Sequence, residues 1–160
     1  MKYYYTEMQS PVGDLTIVSD NENLCAIYWK GQEPDKKKFP QLEKNDGDRI
    51  LKKTVKQLTR YFTGRRVEFD MPLRLEGTDF QKQVWSLLPS VKYGQTASYG
   101  DIAKMINRPR AVRAVGSAIS KNPISIIIPC HRVIGSNGQL TGFAGGLDTK
   151  EYLLNLENQA

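Results

Sequence analysis

Residues 98–120 read SYGDIAKMINRPRAVRAVGSAIS, and this stretch decides the fold. Ile102, Ala103 and Ile106 recur at helical spacing after Ser98, which predicts a short helix with Tyr99 near its start. Asn107-Arg108-Pro109-Arg110 punctuates the pattern as a turn. A further helix is predicted from about Ala111 to Ser120, with Val112, Val115 and Ile119 inward at i, i+3 and i+7, and Asn122-Pro123 ends it. Two short helices joined by a tight turn have the pattern of a helix-turn-helix. The second is rich in small residues: Ala111, Ala114, Gly116, Ser117 and Ala118. Small side chains let a backbone approach a DNA groove or a neighbouring helix, and the pattern alone leaves both open. Arg113 falls between inward Val112 and Val115, so it projects from the opposite side, as a solvated or a ligand-facing arginine.

Upstream, Thr78 with Gln81 forms a capping-box pattern. It opens a helix expected to bury Phe80, Val84, Trp85, Leu87 and Leu88 before Pro89. Composition changes around Leu75-Glu76-Gly77, which divides the chain into a scaffold domain, 1–75, and a second domain, 76–160. In the first, Tyr3–Met8, Leu15–Ser19 and Leu24–Trp29 are expected strands. Ile50–Phe62 has the apolar spacing of an amphipathic helix that Gly64 stops. Val67-Glu68-Phe69 is expected to return as a strand. The fold class is therefore α+β, and the first domain shows no catalytic constellation.

Downstream, the apolar run Ile124–Ile128 leads into Pro129-Cys130-His131-Arg132-Val133, and the turn-forming Gly135-Ser136-Asn137-Gly138 follows. One of two cysteines stands beside the sole histidine. This placement predicts a thiol at the end of a buried strand. A free thiol has a pKa near 8.5, so only a few per cent is thiolate at neutral pH. A nucleophilic cysteine therefore needs a base, a cation or a favourable dipole nearby. Adjacent strand residues point to opposite faces, so His131 would need a bridging water or a bend to reach the sulfur.

The chain has 160 residues, 39% hydrophobic and 25% charged, the profile of a globular protein with an ordinary core. No run approaches the roughly 20 apolar residues that span a bilayer, and the start has no secretory pattern, so a cytoplasmic location is expected. Two cysteines make no disulfide framework, and Cys25 reads as a small buried hydrophobe. Three Cys and His residues in all are fewer than a structural zinc needs, so no metal is expected. The net charge is +6, but residues 82–147 hold eight basic groups against Asp101 alone, a segment of +7 that leaves −1 for the rest. Such a concentration points to a polyanion or forms a solvated basic face.

Pro129 to Val133, taken with Phe80-Gln81-Lys82-Gln83-Val84-Trp85, Ser98-Tyr99-Gly100 and Arg113-Ala114-Val115-Gly116, closely resembles the O6-alkylguanine-DNA alkyltransferase family, also called methylated-DNA–protein-cysteine methyltransferases. The strong resemblance covers about Thr78 to Glu157; the first half matches mainly in size and pattern. It implies a ribonuclease-H-like antiparallel sheet with a helix, then a mainly helical, winged-helix-like domain. It implies a monomer that acts on duplex DNA containing O6-alkylguanine, away from membranes and without a cofactor, and that extends to O4-methylthymine. The alkyl group of a flipped-out base passes to cysteine in one in-line step, once per molecule.

By matching position, Cys130 is the nucleophile and alkyl acceptor. His131 is its base through a water, Glu157 orients His131, and Asn122 braces the turn before the active-site segment. Tyr99 donates to N3 of the leaving base and helps rotate the flanking phosphate. Arg113 replaces the extruded nucleotide in the stack, while the helix with Ala114, Gly116 and Ser117 lies in the minor groove. Arg132 and Ser136 are further DNA-contacting candidates. Val133 and Cys130 offer backbone carbonyls to the guanine amino group. Ala144 stands where several relatives have serine, Ser125 replaces a pocket proline of some relatives, and Ile119 is a pocket-wall position.

Three other readings have less support. A non-catalytic alkylated-base-binding relative would lack the cysteine, which Cys130 argues against. A cysteine hydrolase needs a histidine beside sulfur and an oxyanion site. A plain DNA-binding regulator leaves the Cys-His-Glu set unexplained.

Overall fold

In β1 (Tyr3–Met8), β2 (Leu15–Ser19) and β3 (Leu24–Tyr28), apolar side chains line a common inner face, and the three strands pair antiparallel in order. The structure is a computed structural model that describes residues 1–158. Its residues form two units, Met1–Leu75 and a second that begins at Glu76.

In the first unit a short fourth strand, β4 (Leu42–Lys44), runs parallel to β1, giving the order β3-β2-β1-β4. The strand expected at Val67–Phe69 does not form. Phe69 instead packs against Tyr61, with ring centroids 6.2 Å apart. The apolar character that suggested a strand belongs to a contact with the helix. That helix, α1 (Arg49–Phe62), starts where the Asp48 carboxylate accepts the Leu51 N–H at 2.9 Å. Ile50, Leu51, Leu58 and Tyr61 are buried, and Gly64 at φ +88° turns the chain away. The outer edge of β3 is covered because Leu24 exchanges backbone bonds with Pro72 and Arg74. Cys25 is buried in an apolar cluster with Tyr3, Val18, Ala26 and Phe39.

In the second unit, α2 (Asp79–Leu87) opens with the expected reciprocal bonds between Thr78 and Gln81. Gly77 is required there, because a Cβ would lie 2.8 Å from the Trp85 ring. Val84 and Trp85 are buried, whereas Phe80 and Leu87 are only half-buried. After the strand β5 (Ala97–Ser98), Ser98 caps α3 (Tyr99–Met105) with Asp101 reaching back. The turn holds Asn107 at φ +60°, a conformation that asparagine tolerates better than most residues. It leads into α4 (Val112–Ser120). The Trp85 indole N–H donates to the Ala118 carbonyl at 2.7 Å and locks α2 to α4.

The inward stripe of α4 is Val115, Ala118 and Ile119. Val112, expected inward, is 40% exposed. It is the first residue of the helix.

Residues 124–128 are buried but form no regular strand. Ile126 has φ +74°, and Pro123 and Pro129 at either end supply no N–H for a ladder. The polar groups are satisfied locally instead: Asn122 donates to the Ile128 carbonyl at 2.8 Å and accepts the Ile124 N–H at 3.0 Å. Cys130–Arg132 then form a single 3₁₀ turn. The chain continues as β6 (Val133–Ile134), parallel to β5, and ends in α5 (Leu147–Asn158). Among the described residues, no helix is long and apolar enough to cross a membrane.

Candidate active site

Cys130 begins the 3₁₀ turn rather than ending a strand, which changes its relation to His131. Successive side chains on such a turn diverge by about 120° rather than pointing to opposite faces. The bend that the sequence reading required is therefore present. Cys130 is 4% exposed, with Sγ 3.9 Å from the Ser125 hydroxyl. Burial pushes its thiol pKa up, opposed in part by its hydrogen bonding with Asn122 and Ser125 and by the charge of Lys150. At rest it is a protonated thiol.

His131 is fully buried, and its Nε2 lies 2.6 Å from Glu157 Oε2. A carboxylate accepts only, so Nε2 carries the hydrogen and donates it. Nδ1 is then the basic nitrogen, and it is buried without a hydrogen-bond partner among the described residues. Burial pushes the imidazole pKa down, against the opposing effect of Glu157, and keeps the ring neutral near pH 7. A buried, neutral imidazole held by Glu157 through Nε2 keeps Nδ1 available as a proton acceptor.

Glu157 holds more than the histidine. Arg132 donates from Nε at 2.8 Å and Nη2 at 3.2 Å, and the Gly94 N–H donates at 3.4 Å. Arg132 also donates to the Val91 carbonyl at 2.8 Å and lies over the Tyr93 ring. Its assignment to DNA contact is therefore overturned. The guanidinium is buried and all its reach is directed inward, as a brace on the carboxylate.

Lys150 escaped the sequence reading. It is 1% exposed, and its Nζ donates to the Val133 carbonyl at 2.6 Å and the Thr141 carbonyl at 3.3 Å. Burial lowers its pKa, opposed by the nearby Cys130. Its signal was available: Lys150 shares the buried face of α5 with Leu153, Leu156 and Glu157. A lysine on an apolar stripe needs a buried partner. The Val133 carbonyl, a candidate acceptor for the base, already accepts from Lys150, and that of Cys130 from the Val133 N–H. Each has a second lone pair available.

Tyr99 lines a cavity of about 540 Å³ with Val112, Gly116, Thr141, Phe143 and Ala144. Ile119 and Ser125 do not line it. Ile119 is buried on the inner face of α4, and Ser125 is buried at the thiol. On the outer face of α4, Arg113, Ala114 and Ser117 are exposed, as is Ser136 in the following turn. A second basic feature is the turn itself, where Arg108 lies over the Phe80 ring.

The second unit thus pairs a helix-turn-helix with a buried thiol whose neighbouring histidine is held by Glu157, the parts of a DNA-binding protein with a thiol centre. The profile of the 6-O-methylguanine DNA methyltransferase DNA-binding domain matches residues 79–159, and that of the ribonuclease-like domain matches residues 3–75. The chain belongs to the 6-O-methylguanine DNA methyltransferase family. It is 47% identical over 155 residues to the methylated-DNA–protein-cysteine methyltransferase of Methanosarcina acetivorans, covering 96% of this chain and 97% of the relative. That of Haemophilus influenzae is 45% identical, covering 96% and 86% respectively. Among solved structures, Mycobacterium tuberculosis OGT in complex with DNA is similar with a TM-score of 0.89 at 42% identity, covering 99% of this chain and 94% of that one.

Proposed function

We propose that this chain repairs alkylated duplex DNA by direct reversal, with Cys130 accepting the alkyl group of O6-alkylguanine once per molecule. The observation that carries the chemistry is the buried His131 with Nε2 on Glu157 and Nδ1 open. Nδ1 takes the Cys130 proton through a bridging water, which also satisfies an otherwise orphaned buried acceptor. The thiolate attacks the alkyl carbon in line. A C–S bond forms as the C–O6 bond breaks, and the electron pair enters the purine. The proton that Nδ1 took from Cys130 returns through the bridging water to solvent, and the purine anion takes one proton from solvent as it leaves as guanine, so the step closes with no net proton change. Lys150 lies close enough for its charge to favour the thiolate.

Tyr99 is the donor to N3 of the leaving base, at the wall of a cavity whose Ala144 side adds little bulk. Asn122 fixes the segment that carries the thiol. The exposed face of α4, small at Ala114, Gly116 and Ser117, suits a narrow minor groove, with Ser136 near the phosphates. Arg113 fills the stack left by the flipped nucleotide, whose extrusion costs a few kcal/mol. The names of the relatives favour the enzyme over a non-catalytic alkylated-base-binding protein. The protein works as a cytoplasmic monomer, and O4-methylthymine is a second substrate.

Titrating reduced protein against O6-methylguanine duplex should restore guanine up to one equivalent and then stop. Binding without restoration would support the non-catalytic reading. Arg113→Ala should slow repair of duplex DNA by about 10-fold or more, the scale of a flipping cost of a few kcal/mol. Reaction with free O6-benzylguanine, which needs no flipping, should stay within about twofold by the same reasoning. Equal losses on both substrates would contradict the role given to Arg113.

A further inference from the structure

The Tyr99 and Thr141 hydroxyls lie 2.7 Å apart at the cavity wall, and either oxygen could be the donor. The two possibilities differ in chemistry. A phenol has one hydrogen; if Tyr99 gives it to Thr141, none remains for the leaving base. If Thr141 donates instead, the phenol hydrogen is free, and accepting a bond makes it a better donor. Thr141 is itself held by the buried cation of the site, because its carbonyl accepts from Lys150 Nζ, which also binds the Val133 carbonyl.

We propose that Thr141 is a positioning residue for the transfer, its hydroxyl donating to Tyr99 Oη so that the phenol presents its own hydrogen to the leaving base. This rests on the reading of Tyr99 as that donor. The Thr141 proton stays on Thr141; only the phenol hydrogen is shared with the purine.

Single-turnover transfer at saturating O6-methylguanine duplex separates positioning from binding. Thr141→Val keeps the shape and removes the hydroxyl. It should slow transfer about three- to tenfold, the effect of losing one neutral hydrogen bond, with Kd for the duplex unchanged and Tm lowered by no more than about 5 °C. Thr141→Ser should restore the rate to within about twofold, since the donor returns. Tyr99→Phe should be slow, and adding Thr141→Val to it should cause no further loss, because the interaction is already gone. Parental speed in Tyr99→Phe would overturn the reading of Tyr99 and the inference with it. A slow Tyr99→Phe overturns the inference alone in any of three cases: Thr141→Val runs at parental speed, it slows transfer equally in both backgrounds, or Thr141→Ser fails to rescue it.

Discussion

Cys130→Ser is expected to leave no measurable alkyl transfer while binding of the lesion duplex persists. The substitution changes one atom in a site that is 4% exposed, so packing around Ile128, Ser125 and Asn122 should hold. What disappears is the nucleophile. A thiol that burial holds protonated can still be ionised by a neighbouring base, whereas a hydroxyl at neutral pH is far less nucleophilic. Removing an activated nucleophile elsewhere has cost on the order of 10⁶-fold in rate. Single-turnover assays and duplex binding on the same variant check both halves. Residual transfer within about 100-fold of the parent, far above that scale, would move the acceptor role to another residue.

Glu157→Gln is expected to affect rate and stability together. The carboxylate accepts from His131, Arg132 and Gly94 in a buried setting. Breaking one partner of a buried ion pair typically costs about 3–5 kcal/mol, so Tm should fall by roughly 10 °C for a chain of this size. The rate should fall by about 100-fold or more, because the amide neither fixes the histidine tautomer nor supports a developing imidazolium. Arg132→Met separates the two effects. It removes the brace but keeps the His131–Glu157 bond, so it should lose stability with a much smaller rate loss. Equal rate losses in both variants would make Glu157 purely structural.

Four of the helices and three of the strands were legible because each carries a local signal. The Thr78–Gln81 box marks the start of α2, and the apolar spacing of α1 and α3 marks their buried faces. The strand at 42–44 was not legible, since three residues paired to a distant partner leave no periodicity. Ile124–Ile128 misled for a different reason. Burial on every side gives a continuous apolar run whether or not the backbone forms a ladder. The positive φ at Ile126 has no sequence mark.

In the site, the adjacency of Cys130 and His131 was visible in the sequence, and the resemblance added Glu157, which the structure places against His131 Nε2. Charge alone could not distinguish an arginine that faces DNA from one that braces a buried carboxylate, so Arg132 was misplaced. Lys150 carried a mark in the apolar spacing around it, but its partners, the carbonyls of Val133 and Thr141, are brought to it only by the fold.

The measurement that tests the central claim most directly is peptide mapping by mass after reaction with O6-methylguanine duplex. One added methyl is expected on the peptide containing Cys130, at one equivalent per chain, with the buried Cys25 unmodified. Methyl on another residue, guanine restored beyond one equivalent, or no adduct in freshly reduced protein would contradict it.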